Sequence, residues 1–430
     1  MKKRKILALC LAVLILIGSF GKVSIAKSGK TKNLTSSIKV KKQKGRKIKK
    51  TESSAMTSVS IKLLDETIKS EDAGANIFIS PVSIMYAFGM AENGAKGKSK
   101  SQIEDVVFGG LKTSDTNQIM CRLMKNMESN KEVSWNVANS VWVIDRKDVK
   151  VKKKYLKTVK SYYDAEVYKG AFNKTTAKDM NKWVKKNTKG MIPKIVDKFD
   201  KDTVMYLINA MAFEAPWEKQ FTKYQVKKNT KFTNLDGSTS KVTMMNSDED
   251  GYFELNGAYG FKKYYKGRKY AFVGIEMPEG VTPAEYISTL SEDSGKFTTA
   301  LSDIKYDQDV YIKLPQFSLD YGAEMSDMLK GMGVTNAFDP DKANLYNMFK
   351  KSPNSNYYFT KVLHKTHIEV DKNGTKAAAV TAIITDKATS VLDERPRLDI
   401  NLDHPFVYAI IDTKTNIPVF IGCMNSIESQ

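Results

Sequence analysis

The stretch GTKAAAVTAIITDKATS, residues 374–390, decides how this chain is to be read. Gly374, Thr375, Ala377, Ala378 and Ala379 are small, and Lys376 is the one charge among them. A β-branched run follows: Val380, Thr381, Ile383, Ile384 and Thr385. Small residues let a backbone slip between neighbouring strands at little steric cost, and β-branched residues favour strand geometry. Asp386, Lys387, Ala388, Thr389 and Ser390 end the stretch with the polar and small side chains of an exposed tip. Taken alone, the Ala-rich run also reads as helix or plain loop, because Ala is the best helix former. The flanks point to a strand held outside its sheet. Upstream, KVLHKTHIEV (361–370) alternates through Val362, His364, Thr366, Ile368 and Val370. Downstream, HPFVYAII (404–411) and IPVFIGCMNS (417–426) read as two strands joined by a turn near 413–416.

Farther out, residues 53–70 place Met56, Val59, Leu63, Leu64 and Ile68 at helical spacing. Ile77-Phe78-Ile79 reads as a short buried strand. Ser80-Pro81 reads as a helix start, with proline in the first turn and a mostly apolar helix over 82–92. WNVANSVWVI (135–144) reads as a strand, and residues 179–196 as a helix ending near Gly190 with an apolar hook after it. TVMYLINAMAF (203–213) carries no charge over its length, which predicts a strand buried on both faces. VYIKLPQFSL (310–319) alternates around a proline, and residues 323–338 read as a helix ending at GVTNAF.

Composition bounds the rest. The chain has 430 residues and a formal net charge of +21. Lys2-Lys3-Arg4-Lys5, the apolar run 6–20 and Ser24-Ile25-Ala26 read as a signal peptide over residues 1–26, cleaved after Ala26, with a retained anchor as the alternative. Residues 27–51 hold eleven Lys and Arg and no acid, so they read as a disordered basic linker. Removing the five charges of 1–26 and the eleven of 27–51 leaves +5 on residues 52–430, which read as one domain. Nucleic-acid binding by the whole chain loses its support. The basic segment reads either as a contact to an anionic cell-surface polymer or membrane, or as a solvated spacer. Cys121 and Cys423 have neither metal-site nor redox spacing and read as buried small hydrophobes.

Enzyme chemistry finds little footing. There is no G-x-S-x-G and no HExxH, and the three histidines are His364, His367 and His404. Gly97-Lys98-Ser99 ends like a phosphate loop, but Glu92 stands where its first glycine belongs. No catalytic residue, metal ligand or cofactor is assigned.

ISPVSI, VANSVWV, NKWVKKNTKGMI, LINAMAFEAPW, IKLPQFSL, LKGMGVTNAF, LHKTHIEVDKNGTKAAA and DHPFVYAII occur in this order. Each is similar to a landmark of the serpin family, and together they span about residues 52–427. The chain therefore resembles a secreted, prokaryotic serpin. The resemblance implies an α+β fold of three β-sheets, eight or nine surrounding helices and an exposed reactive-centre loop. It implies a suicide inhibitor, monomeric and extracellular or held at the cell surface. A serine protease, or a cysteine protease, cleaves the loop and is trapped as an acyl-enzyme while the hinge inserts as a new central strand. The hinge would be Gly374, Thr375, Lys376, Ala377, Ala378, Ala379, Val380 and Thr381. Alternate residues from Thr375 to Thr385 would face inward, leaving Lys376 outward. Lys372 and Lys376 stand where inhibitory members usually carry acids. Family spacing from Gly374 puts the cleaved bond at Ala388-Thr389, bait for an elastase-like or subtilisin-like enzyme. A one-residue shift gives Lys387-Ala388, bait for a trypsin-like one. Ser80, Ser83, Asn209 and His364 would form a polar gate between the central strands, with Trp217 packed where the hinge enters. The alternative is a non-inhibitory member acting as a chaperone, carrier or adhesion module.

Overall fold

The computed structural model describes residues 30–200, 203–352, 357–375 and 395–430. The chain opens with β1 (Lys32–Asn33), α1 (Lys50–Ser70), β2 (Ile77–Ile79), α2 (Pro81–Gly94), α3 (Lys98–Val107) and α4 (Thr113–Asn126). Next come β3 (Ser134–Ile144), α5 (Lys153–Tyr163), β4 (Glu166–Gly170), α6 (Lys174–Asn187) and β5 (Met205–Pro216). Five strands follow: β6 (Val226–Thr233), β7 (Thr239–Glu249), β8 (Tyr252–Leu255), β9 (Ala258–Tyr264) and β10 (Tyr270–Glu276). Then come α7 (Pro283–Glu292), α8 (Gly295–Ser302), β11 (Asp309–Pro315), β12 (Phe317–Glu324) and α9 (Ser326–Gly331). The last strands are β13 (Lys361–Val370), β14 (Gly374–Thr375), β15 (Arg397–Asn401), β16 (Phe406–Asp412) and β17 (Pro418–Met424).

Among the described residues these strands form three sheets, of order β1-β4-β3-β5-β14-β13-β12, β2-β17-β16-β10-β9-β8 and β15-β11-β7-β6. The nine α-helices surround them, as the α+β reading expects. One core runs from α1 and α2 through the six-stranded sheet to the inner face of the seven-stranded sheet. A second, smaller core lies on the outer face of the seven-stranded sheet. There Ala177, Met180, Trp183 and Val184 of α6 pack over Trp142, Tyr206 and Ile208. This double coverage explains β5: residues 205–213 are all buried, so an uncharged run is what its two faces require.

Several expectations are met closely. Ser80 caps α2, its Oγ accepting from the Ser83 N–H, and Pro81 holds the first helical position. Cys121 and Cys423 are free and buried. Other expectations are corrected. Residues 310–319 are two strands in two sheets: β11 ends at Pro315, and β12 begins at Phe317 in the seven-stranded sheet. The helix read over 323–338 shrinks to α9, because β12 runs on to Glu324 and pairs there with β13. Helix α6 starts at Lys174, ahead of the predicted start, because Asn173 caps it by accepting from Thr176 N–H.

The disordered linker of residues 27–51 is also corrected, for its described part. Lys32 and Asn33 pair with Lys169 and Tyr168 at the sheet edge, and Thr35 is buried. Lys42 meets Asp164 at 2.7 Å. Arg46 forks between Glu52 and Asp115, both at 2.6 Å, and α1 begins at Lys50. The segment has little apolar surface of its own, and Leu34, Ile38 and Ile48 lay it against the main core. It is held as well by an otherwise unpaired strand edge and by carboxylates of the body.

Candidate functional site: the seam between β5 and β13

Strands β5 and β13 run parallel but pair only at Tyr206/Lys361 and Leu207/Val362. Two residues beyond the last pair stand Asn209 on β5 and His364 on β13. At the other end of the seam β14 lies between the two strands, with Thr375 opposite Ala215 on one side and Val370 on the other. The central sheet is thus joined at one end, plugged by two residues at the other, and bridged by polar side chains where the ladder stops.

The structure brings Ser80, Ser83, Asn209 and His364 together, all of them buried. Ser80 N–H donates to His364 Nε2 at 3.0 Å, and Ser80 Oγ donates to the Val419 carbonyl at 2.7 Å. Accepting that bond requires an unprotonated Nε2, and complete burial holds the imidazole down at about 4. Ser83 Oγ donates to Asn209 Oδ1 through a short bond. Asn209 Nδ2 passes the chain on to Asn139 Oδ1 at 2.6 Å, and Asn139 Nδ2 donates to the Tyr163 carbonyl at 2.8 Å. This is a satisfied buried network linking α2, β5, β3 and the end of α5. Asn139 escaped the sequence reading, although a buried strand asparagine directly opposite Asn209 in the β3–β5 register was there to be asked about. Thr366, whose hydroxyl donates to the Phe78 carbonyl, also escaped it.

Trp217 lies at the plugged end, away from the polar chain. Its ring stacks on Tyr265 with centroids 4.6 Å apart. Its indole N–H donates to the Asp371 carbonyl at 2.8 Å, and its backbone N–H to the Asn373 carbonyl at 2.9 Å. Asp371 in turn accepts from the N–H groups of Asn373 and Gly374, at 2.7 and 3.0 Å, which closes the turn that delivers β14 into the sheet. Gly374 is required by close approach: a Cβ there would strike the Ala215 carbonyl oxygen. Thr375 is buried against Tyr265, hydroxyl to hydroxyl. Lys263, 2% exposed, supports this corner. Its ammonium lies 2.7 Å from Glu249 and 4.2 Å from the centre of the Phe221 ring. Lys372 is exposed on the turn.

The other residues expected to form the hinge, Lys376, Ala377, Ala378, Ala379, Val380 and Thr381, lie outside the described residues, as do Lys387, Ala388 and Thr389 of the expected reactive bond. Among the described residues no cluster of His, Cys, Asp and Glu could hold a metal ion, and no helix is long and apolar enough to cross a membrane.

A parted central sheet with a strand entering it is the architecture of a serpin, and comparison with known proteins agrees. A family model described as Serpin (serine protease inhibitor) matches residues 54–427, so the chain belongs to the serpin family. Human neuroserpin is 30% identical over 363 residues, covering 81% of this chain and 85% of its own. Serpin B10 of Otolemur garnettii is 29% identical over 383 residues, covering 81% and 93%. Among solved structures, the thermophilic serpin tengpin in its native state is 36% identical, with a TM-score of 0.85 over 93% of this chain and 100% of that one. Tengpin in its latent state gives 0.75. Thyroxine-binding globulin in complex with thyroxine, 21% identical with a TM-score of 0.74, shares the fold.

Proposed function

We propose that the protein is exported, loses residues 1–26, and traps a target protease by loop cleavage and strand insertion. The protease serine attacks the Ala388 carbonyl, the bond to Thr389 breaks, and the acyl-enzyme remains on Ala388. The hinge then zips from Thr375 between β5 and β13, which adds backbone hydrogen bonds on both sides of the new strand. Thr375, Ala377, Ala379, Thr381, Ile383 and Thr385 face inward, and none is charged. The polar chain from His364 to Asn139 lies across that path and must re-pair as the strands part. The targets are elastase-like or subtilisin-like serine proteases, or trypsin-like ones if Lys387 is the bait.

The observation that carries this reading is β14. Gly374 and Thr375 already occupy the slot, paired to β5 and β13, with Thr375 on the inward face. The test is to incubate residues 27–430 with pancreatic elastase, subtilisin and trypsin, followed by denaturing gels and intact mass. An adduct that survives denaturant, with a released peptide beginning at Thr389, is the expected result. A peptide beginning at Ala388 moves the bait to Lys387. Clean cleavage without adduct, and without a rise in melting temperature of the nicked protein, sinks the trapping mechanism. It would favour a non-inhibitory binding, chaperone or adhesion role.

A further inference from the structure

The +5 left on residues 52–430 is not spread evenly. Helix α6 carries Lys174, Lys178, Lys182, Lys185 and Lys186 against the single acid Asp179. At about 100° per residue, Lys174, Lys178, Lys182 and Lys185 fall within roughly 80° of arc. That face lies opposite Ala177, Met180, Trp183 and Val184, which α6 buries on the sheet. Lys189, just past the helix, donates to Ser134 Oγ at 3.0 Å instead. All six lysines are exposed. Among the described residues none of the five on the helix is in an ion pair or donates a side-chain hydrogen bond. Elsewhere in the domain lysines commonly have partners, as Lys361 does with Asp200 and Lys330 with Asp327. Beside the stripe runs a groove of about 500 Å³, lined by Lys174, Lys178, Lys182, Lys185 and Lys194, with Asp197 the acid in it.

We infer that this face of α6 is a docking surface for a linear polyol-phosphate polymer, a chain of phosphodiesters without bases. Charge complementarity argues for a polyanion. Lys174, Lys178, Lys182 and Lys185 recur about every 5–6 Å along α6 at 1.5 Å rise per residue, so successive ammonium groups can meet successive charges of an extended chain. Lysines act as point charges on phosphate, and the stripe has no arginine fork for bidentate recognition. A nucleic-acid strand would call for aromatic platforms, and the exposed aromatic side chains (Tyr224, Tyr259, Tyr306 and Tyr311) all lie off α6. A bilayer would call for exposed apolar wedges beside the lysines, and the apolar side chains of α6 are turned into the core. The site rests on this helix alone and does not depend on the protease reading.

The test is binding of fluorescently labelled poly(glycerol phosphate) to residues 27–430, measured by anisotropy across a salt series. Four to five phosphate contacts predict a slope of log K on log salt near −3, at about 0.7 per contact for a single strand. The triple variant K178S/K182S/K185S should weaken binding at least tenfold and flatten the slope by about 2. Arginine at the same three positions should restore binding. The control K39S/K44S/K47S removes equal charge from exposed positions of the N-terminal segment and should change affinity less than twofold. Equal losses in both triples would mean diffuse attraction and overturn the site. So would no binding at low salt, or loss confined to the N-terminal triple. Tighter binding of single-stranded DNA or heparin than of the polyol phosphate, abolished by the α6 triple, would overturn the assigned polymer.

Discussion

The Tyr265 hydroxyl lies 2.5 Å from Thr375 Oγ1, and both residues are almost fully buried. Tyr265 follows β9 and Thr375 is the last residue of β14, so one hydrogen bond ties the six-stranded sheet to the strand entering the seven-stranded one. Burial pushes the Tyr265 phenol above its ordinary range, so the bond stays between neutral groups throughout physiological pH.

This contact sets the first prediction. Tyr265→Phe leaves Thr375 Oγ1 buried without a partner, at a cost of about 1–3 kcal/mol. Thr375→Val does the converse to Tyr265. Each single variant should lower the melting temperature by a few degrees and speed amide exchange at Trp217. The double variant should recover part of the loss, because removing both partners leaves nothing unsatisfied. Strictly additive losses in the double-mutant cycle would show that the two hydroxyls are not coupled.

A second prediction concerns acid. His364 is held neutral by burial, with its folded value at about 4 against 6.5 when exposed. The unfolded chain therefore takes up the proton first. The contribution of His364 is whole above about pH 6.5 and drains away as pH falls toward 4. His364→Gln keeps an acceptor for the Ser80 N–H but cannot titrate. Its urea midpoint should change less than that of the parent between pH 6.5 and 4.5. His364→Ala orphans the Ser80 N–H and should lower stability at every pH. Identical pH profiles for parent and Gln variant would contradict the argument.

Glu92 gives the opposite slope. It is 0% exposed on α2, and neither carboxylate oxygen has a hydrogen-bond partner. Burial pushes its carboxyl up to about 8, with Glu104 adding to the rise. Here the folded chain holds the proton longer, so stability is full below about pH 4.5 and is lost as pH rises through 8. Glu92→Gln should raise the melting temperature at pH 8.5 relative to the parent, by an amount worth a few kcal/mol at most, and change it little at pH 5. A variant less stable than the parent at pH 8.5 would show that Glu92 has partners when charged.

Arg46 tests the packing of the N-terminal segment. Glu52 is 5% exposed, and the fork from Arg46 is the chief cause holding its carboxyl below the usual range. Arg46→Ala leaves that carboxylate with only the Lys49 N–H and ammonium as partners and releases Asp115, and should cost roughly 1–3 kcal/mol. Hydrogen exchange should quicken at Leu34 and Gln43, whose amides donate to the Val167 and Ser161 carbonyls. Unchanged exchange there would mean that the edge pairing at Lys32 and Asn33 holds the segment by itself.

Much of the fold was legible because period and punctuation are local. Ile77-Phe78-Ile79 followed by Ser80-Pro81 spelled strand, cap and helix start. The uncharged run around Leu207 to Met211 announced burial on both faces. The small residues from Gly374 onward led to the expectation of a strand outside its sheet, and of these Gly374 and Thr375 are described, as β14. What failed was what depends on a partner. The alternation through 310–319 could not show that Pro315 and Phe317 belong to different sheets, because a period of 2 gives a strand its faces but not its neighbours. Composition judged residues 27–51 by their own apolar surface, and so missed that β4 offers an edge and Glu52, Asp115 and Asp164 offer charge.

The same division holds at the seam. Sequence alone determined that Ser80 caps a helix, that β5 and β13 are strands, and that Gly374 to Thr381 carry side chains a sheet can accept; these follow from residue chemistry over a few positions. Only the tertiary structure decided that the β5–β13 ladder stops at Leu207 and Val362, that His364 reaches Asn139 through Ser80, Ser83 and Asn209, and that Thr375 meets Tyr265. Those are contacts between residues up to 284 positions apart. Their geometry is set by register and packing, which local periodicity does not encode.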